Sequence, residues 1–442
     1  MGEGLDPAVA KLQALVRLPT VSYDDDTLVD PGAFADLEAA LEEHFPLLHR
    51  ELAKHRVLDR SLLFCWRGRS DDAPVVLMAH LDVVPVDESA PWQHPAFAAT
   101  VADGAVWGRG TLDDKGAVAA ICEAVERLLG EGFVPARDVW LSFGAREEVS
   151  GPDASAAVEE LRRRGLAPWF VLDEGGAIAH DAFPGVRPPL GVVGVGEKGT
   201  TTLQLRAEGR GGHSSTPSPN GPTARIARAV TRLERHPFPA RLPAPTAEML
   251  RRIAPHAPAP LRPVLGNAAR LEALLTRALP RVGPEPGALV RTTMSVTTLS
   301  GSPAHNVVAS SATAGVNLRL LPGDTVTSAV EHVRRAIRDE SVSVSVVDAN
   351  EPSPLSPTDE AFALLESTIR AVFPDAVPTP YVMLAATDAR FFAAICDRVY
   401  RFTPFRMSKA QRESIHGFDE HLGVTDFLAG IDWYARLLRG LG

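Results

Sequence analysis

The chain has 442 residues, 45% of them apolar and 23% charged, with a formal net charge of -10. That length exceeds one ordinary core and points to two domains, or to one large domain with an insert, in a soluble globular protein. The acidic balance argues against nucleic acid or an anionic membrane surface as the main partner, since both call for a basic footprint. The apolar runs are too short to span a membrane, and Met1 to Asp6 lack the basic-then-apolar order of a secretory leader. Cys65, Cys122 and Cys396 are widely separated and each sits among apolar neighbours. Reduced core thiols and a cytoplasmic location fit this better than disulfides or a Cys-type zinc site.

Residues 6–18 carry Val9, Leu12, Leu15 and Val16 at helical spacing and stop at Pro19. A second helix is expected over residues 34–48, with His44 and His49 on its solvated side. Residues 62–66 read as a strand. Residues 75–79 form an apolar run with little alternation, as in a strand buried on both faces, and it delivers His80 and Asp82 at its carboxyl end. Ligands of parallel sheets collect at that end. Asp103-Gly104 signals a hairpin, whose second arm enters Gly108-Arg109-Gly110-Thr111-Leu112-Asp113-Asp114-Lys115-Gly116 and then an apolar helix over residues 117–129. This glycine-rich stretch lacks the Walker and dinucleotide spacings, and adjacent aspartates repel a phosphate. A cation suits it better, although Asp113 and Asp114 as plain helix caps are the bland alternative.

Two further apolar runs end in acids: residues 139–144 lead to Glu147-Glu148, and residues 169–172 lead to Asp173-Glu174. A Glu-Glu pair is usually a solvated face. Here His80/Asp82, Glu147/Glu148 and Asp173/Glu174 all fall where successive strands end at one edge of one sheet, and that coincidence favours a site.

From residue 200 the pattern becomes strand, helix, strand, strand, helix, strand, which is the split βαβ arrangement of a complete small domain. Asp324 is the expected cap of its second helix. Between its first helix and second strand, residues 236–287 are rich in Pro, Ala and Arg. They are expected to hold short helices near Leu261 and Leu271 and to pack as an appendage. Residues 352–357 read as the return linker, residues 398–402 as a strand, and residues 425–438 as the closing helix that follows His416-Gly417.

One or two imidazoles with several carboxylates and no nearby thiolate form a hard to borderline donor set, suited to Zn2+, Mn2+ or Co2+ in pairs. Two ions roughly 3.5–4 Å apart lower the pKa of a water and polarise a carbonyl together. Such a centre needs a bridging carboxylate, a terminal carboxylate and a His for each ion, and an unligated Glu to move protons. The sequence supplies all of these.

Met78-Ala79-His80-Leu81-Asp82-Val83-Val84-Pro85, the Gly108 to Gly116 stretch, Glu147-Glu148-Val149-Ser150-Gly151, Leu172-Asp173-Glu174-Gly175-Gly176, Gly209-Arg210-Gly211-Gly212-His213-Ser214-Ser215 and Ile415-His416-Gly417 occur in this order across nearly the whole chain. Together they resemble the zinc aminoacylase, carboxypeptidase S, carnosinase and succinyl-diaminopimelate desuccinylase group of metallopeptidases. Glu197-Lys198-Gly199, Thr387-Asp388-Ala389-Arg390 and Tyr400-Arg401-Phe402 resemble its carboxypeptidase S and N-acyl-amino-acid hydrolase branch. His416-Gly417-Phe418-Asp419-Glu420 departs from the commoner His-Gly-Pro-Asn-Glu, and Ala385-Ala386-Thr387 replaces a Gly usually found before the Thr. Both departures leave the shape of the substrate pocket open.

The resemblance implies two Zn2+ per chain, with Co2+ or Mn2+ as alternatives. His80 and Glu174 would hold one ion, Glu148 and His416 the other, and Asp113 would bridge. Asp113 is preferred to Asp114 because it takes the place of the single Asp in relatives reading Asp-Met-Lys-Gly, and Glu174 is preferred to Asp173 on the same ground. Asp82 would orient His80, and Glu147 would be the general base and acid. His213, by itself a loop histidine, would stabilise the oxyanion, usually that of a partner subunit. Asn306 and Arg319 would bind substrate, the Arg gripping its carboxylate.

The expected fold is α/β, a helix-sandwiched, mixed and mostly parallel sheet (residues 1–198 and 352–442) with an inserted βαββαβ lid (residues 199–351). The expected reaction is hydrolysis of an amide next to a free carboxylate in a small-molecule substrate, by a carboxypeptidase or N-acyl-amino-acid amidohydrolase that can dimerise through its lid. A dipeptidase of the carnosinase type is the rival. A metal-dependent binding protein without catalysis is the remote one.

Overall fold

The computed structural model describes residues 6–441. Residues 1–5, on which the expectation of no leader mostly rests, lie outside the described residues. The first helix, Pro7–Val16, starts where the Asp6 carboxylate accepts the Ala8 N–H at 2.9 Å. It buries Val9, Leu12, Leu15 and Val16 against the main core.

That core surrounds a ten-stranded sheet. Its spatial order is Ala53–Arg56, Leu62–Trp66, Val139–Gly144, Val75–His80, Phe170–Asp173, Val399–Arg401, Leu190–Glu197, Ala177–Ala179 and Arg406–Met407, with Val377–Met383 also paired to Leu190–Glu197. The sheet is mixed and mostly parallel, and the central run from Val139–Gly144 to Val399–Arg401 is wholly parallel. Strand Val75–His80 shows why its sequence barely alternates. Val75, Leu77 and Ala79 pack under helices Pro7–Val16, Lys115–Gly130 and Val424–Arg439, whereas Val76 and Met78 pack against the opposite layer around Val158 and Phe392. Truncating one such side chain, as in Leu77→Ala, costs about 2–5 kcal/mol.

A separate antiparallel sheet has the order Thr293–Ser300, Ser311–Leu320, Gly199–Glu208 and Val342–Asn350. Helices Pro222–Arg235 and Val326–Ile337 cover one of its faces, burying Leu203, Leu205, Ile226, Val316 and Val333 among others. The cap of the second helix is Thr325, in a reciprocal box with Ser328, rather than Asp324. Asp324 is taken by Arg241, at 2.6 Å, and by the Thr292 hydroxyl.

Two other expectations change. The helix expected over residues 34–48 is two helices, Pro31–His44 and Pro46–Glu51, because Pro46 offers no N–H to continue the first. His49 is half-buried rather than solvated, with Nδ1 3.0 Å from the Phe45 carbonyl oxygen and its ring edge-on to Phe64. The Pro-rich segment is not an appendage. Its helices Ala244–Ile253, Arg262–Gly266 and Glu272–Val282 share a core with Phe183 and Leu190 of the main body.

Candidate metal centre

Three adjacent parallel strands, Val139–Gly144, Val75–His80 and Phe170–Asp173, end at one edge of the sheet. They present Glu147 and Glu148, His80, and Glu174 there. Asp113 joins them from the loop before helix Lys115–Gly130, and His416 from the turn after helix Lys409–Ser414. His416 has φ 62, a left-handed conformation that side chains avoid unless the surroundings hold it.

Asp113 lies between the two imidazoles. One of its carboxylate oxygens is 2.8 Å from His80 Nε2 and the other 3.1 Å from His416 Nε2. His416 Nε2 is also 3.0 Å from Glu148 Oε2. Ligating atoms of His80, Asp113 and Glu148 all fall within 4.8 Å of one another. Glu147 and Glu174 line the same cleft as Asp113, Glu148 and His416.

The electrostatics are those of too much negative charge in a dry place. Burial pushes the Glu147 carboxyl well above the usual range, with His80 opposing and Asp388, Asp113 and Glu148 adding to the rise. Glu174 is raised for the same first reason, and then by Asp113, Asp173 and Asp114. Burial also works to raise Asp113, but hydrogen bonds from His416 and His80 reverse this and hold it far below the usual carboxylate range. Burial disfavours the charged His80 ring, yet Asp113 and Asp82 lift its pKa well above normal. Glu148 Oε1 is buried without a hydrogen-bond partner. A buried carboxylate oxygen without a donor is costly, and a cation bound among His80, Asp113 and Glu148, whose ligating atoms converge, would relieve both the crowding and the orphaned oxygen. The donors present therefore fit a bound metal.

Supporting contacts fix the side chains of this cluster. His80 Nδ1 is 3.0 Å from the backbone carbonyl oxygen of Asp82 and 3.5 Å from its carboxylate. That carboxylate mainly accepts the N–H groups of Glu147 and Glu148, both at 3.2 Å, and the Ser22 hydroxyl at 2.7 Å. Asp82 thus aligns the Glu-Glu loop as well as His80. Asp114 accepts the His80 N–H at 3.3 Å and makes no side-chain cap bond to the following helix.

Two buried ion pairs escaped the sequence reading. Arg109 meets Glu420, which also accepts the N–H groups of Leu112 and Asp113. Arg401 meets Glu197, which accepts the Thr387 N–H at 2.6 Å. All four residues stand in motifs quoted above, but nothing local in those motifs marks them as paired.

His213, Asn306 and Arg319 stand apart from this cluster. Gly212–His213 pairs with Val307–Val308 in an exposed two-stranded ribbon, and the Ser214 N–H donates to the Asn306 carbonyl oxygen at 3.2 Å. His213 Nδ1 accepts the Ser215 N–H at 3.1 Å. Arg319 lies on strand Ser311–Leu320 and donates to the Thr200 hydroxyl at 2.9 Å. None of the three lines the cleft that contains Glu147.

The profile of peptidase family M20/M25/M40 matches residues 76–440. The carboxypeptidase S-like 2 protein of Dictyostelium discoideum is 33% identical over 97% of this chain and 84% of its own length. The N-fatty-acyl-amino acid synthase/hydrolase of Homo sapiens is 33% identical over 97% of this chain and 86% of its own. The chain belongs to this family.

The M20/M25/M40 chain is accordingly a metallohydrolase of amide bonds. Its fold is similar to that of an M20 metallo-carboxypeptidase from Sulfolobus solfataricus, with a TM-score of 0.71 at 16% identity over 98% of this chain and 99% of that one. It is also similar to human carnosine dipeptidase 1, with a TM-score of 0.69 at 17% identity over 99% and 96% of the two chains. Among the described residues of this M20/M25/M40 peptidase no helix is long and apolar enough to cross a membrane.

Proposed function

We propose that the chain is a di-zinc hydrolase that cuts an amide bond next to a free carboxylate, with N-acyl amino acids as its substrates. The observation that carries this reading is Asp113 set between His80 and His416, with Glu147 in the same cleft. His80, Glu174, Glu148, His416 and Asp113 would hold the ions between them. Bound there, the ions supply Lewis acidity and make a water easier to deprotonate. Glu147 would take a proton from the attacking water and return it to the leaving nitrogen, a task suited to a carboxyl whose pKa burial has raised. Asp82 holds Glu147 and Glu148 by their backbone N–H groups while keeping His80 in register.

His213 supplies the oxyanion donor and Asn306 and Arg319 the grip on substrate, from a lid spanning residues 199–351. The exposed ribbon carrying His213 and Asn306 supports delivery to a second copy in a homodimer. The buried free thiols of Cys65, Cys122 and Cys396 support a cytoplasmic setting.

A dipeptidase of the carnosinase type is the second reading. Asp181 and Glu285 in the cleft wall favour it, because a free amine needs an acidic partner. Assaying zinc-loaded protein on N-acyl amino acids and on unblocked dipeptides decides between them. Turnover of the blocked compounds is expected; cleavage of unblocked dipeptides alone would select the rival.

A further inference from the structure

In a chain with a net charge of -10, one pocket has a wholly basic lining. It encloses about 620 Å³ between Arg277, Arg281 and Arg291, with Thr276 on one wall, an apolar floor that includes Phe238 and Pro280, and no acid among the described residues that line it. That size falls within the roughly 300–1,000 Å³ of small-molecule sites. Three stretches make its walls. Residues 238–240 follow helix Pro222–Arg235 where the chain leaves the four-stranded domain, helix Glu272–Val282 belongs to the inserted segment, and Arg291 marks the return, just before strand Thr293–Ser300.

Among the described residues none of these three guanidinium groups meets a carboxylate. Glu272, on the same helix as Arg277, accepts the Leu242 N–H at 3.0 Å. Asp324 is taken by Arg241 and the Thr292 hydroxyl. Arg277 and Arg281 stand four positions apart on one helix, a spacing at which like charges destabilise. The plain structural reading is that Arg281 serves the helix end, where it donates to the Arg277 carbonyl oxygen and a cation suits the dipole. That reading leaves Arg277 unexplained, and it leaves Arg291 with a buried Nε that has no acceptor. A buried donor without an acceptor is costly, more so on a charged group.

We propose that Arg277, Arg281 and Arg291 form a binding site for a small molecule with two linked phosphoryl groups, as in a nucleoside diphosphate or free pyrophosphate. Guanidinium forks grip phosphoryl oxygens in pairs. One phosphoryl group carries about -1.5 to -2 at pH 7, so a linked pair balances three guanidinium groups where a single phosphate or carboxylate does not. The floor of Phe238 and Pro280 gives an attached organic group a surface to lie on. None of these residues lines the cleft that contains Glu147, so the site is separate from the amide chemistry. It stands at the joint between the two sheets. Lys198 lies between strands Leu190–Glu197 and Gly199–Glu208, and its Nζ donates to the Arg291 carbonyl oxygen at 2.8 Å. A ligand spanning Arg277 and Arg291 ties the inserted segment to that joint.

Calorimetric titration of the full zinc-loaded chain with pyrophosphate, ADP and inorganic phosphate tests this. Pyrophosphate is expected to bind more tightly than phosphate. Arg277 is exposed, and Arg277→Ala is expected to weaken pyrophosphate about 10- to 100-fold, as for loss of a charged hydrogen bond, with amide hydrolysis unchanged. Arg291→Lys, which keeps the charge and loses the fork, is expected to weaken it as well. A metal ion also takes phosphoryl groups, and Glu148→Ala separates the two sites: binding at the arginine pocket survives in that variant. ADP tighter than pyrophosphate adds the organic group to the site, equal affinity confines it to the phosphoryl pair, and both uphold the proposal. Equal pyrophosphate affinity in wild type and Arg277→Ala, or phosphate bound as tightly as pyrophosphate, overturns it. Hexaglutamate bound more tightly than pyrophosphate also overturns it, and makes the pocket a docking surface for an acidic peptide.

Discussion

Arg109 and Glu420 approach to 2.6 Å, both shut away from solvent, and between them they tie together the loops that carry Asp113 and His416. The Glu420 carboxylate accepts the N–H groups of Leu112, at 2.7 Å, and Asp113, at 3.2 Å. Arg109 reaches the Gly417 carbonyl oxygen on the other side. Removing one member of a buried pair strands the other charge at about 3–5 kcal/mol. Glu420→Ala should lower the unfolding free energy of the metal-free protein by that much and weaken metal binding about 10- to 100-fold, as for loss of a group that orients a ligand. Denaturant unfolding and a metal-competition titration check both. A change below about 1 kcal/mol with unaltered affinity would remove the clamp from the account.

Glu147 and Glu148 are neighbours in sequence with different duties. Glu148 shares His416 Nε2 with Asp113, whereas Glu147 makes no such contact with a ligand imidazole. Glu147→Gln should keep nearly full metal content and lose turnover by orders of magnitude, whereas Glu148→Ala should lose metal as well. Elemental analysis beside single-turnover rates distinguishes them. Equal metal loss in the two variants means the roles are exchanged.

Metal loading should release protons. In the metal-free protein Asp113 and Glu148 lift the His416 pKa to about 10, and His80 is likewise raised well above its ordinary value. At pH 7 the His416 ring carries a proton that a bound ion must displace, so affinity rises with pH through this range and loading expels the proton of this ring. Calorimetric titrations in buffers of different ionisation enthalpy count the protons released. Affinity that is flat or falls as pH rises contradicts this protonation pattern.

The ends of the central strands were legible because apolar runs stop there: residues 75–79 at His80, residues 139–144 just short of Glu147, and residues 169–172 at Asp173. Strands Leu190–Glu197 and Val377–Met383 were not, since Gly191, Gly194 and Gly196 dilute the first and Pro378 and Pro380 the second. Those prolines are tolerated because Val377–Met383 pairs only with Leu190–Glu197. The cleft wall was illegible for a different reason. Met249, Val282 and Leu289 lie on separate short elements whose common face exists only after packing, and Arg109 and Glu420 are 311 positions apart. Long-range pairing of that kind leaves no periodicity to read.

His213 tests whether two copies make one site. His213→Ala should keep metal content and ground-state binding and cost roughly 3 kcal/mol in the transition state, as for one lost oxyanion donor. That is a rate effect on the order of a hundredfold. Mixing it with Glu147→Gln should restore partial activity, since some sites then combine an intact Glu147 with an intact His213. Wild-type turnover in His213→Ala returns this residue to an ordinary loop position.

The central claim is a pair of ions held around Asp113, and metal content measured beside activity addresses it most directly. Chain stripped with chelator and reconstituted with zinc should carry about two ions, and hydrolysis of an N-acyl amino acid should vanish on stripping and return on loading. Less than one ion per reconstituted chain, or full activity in excess chelator, would contradict it.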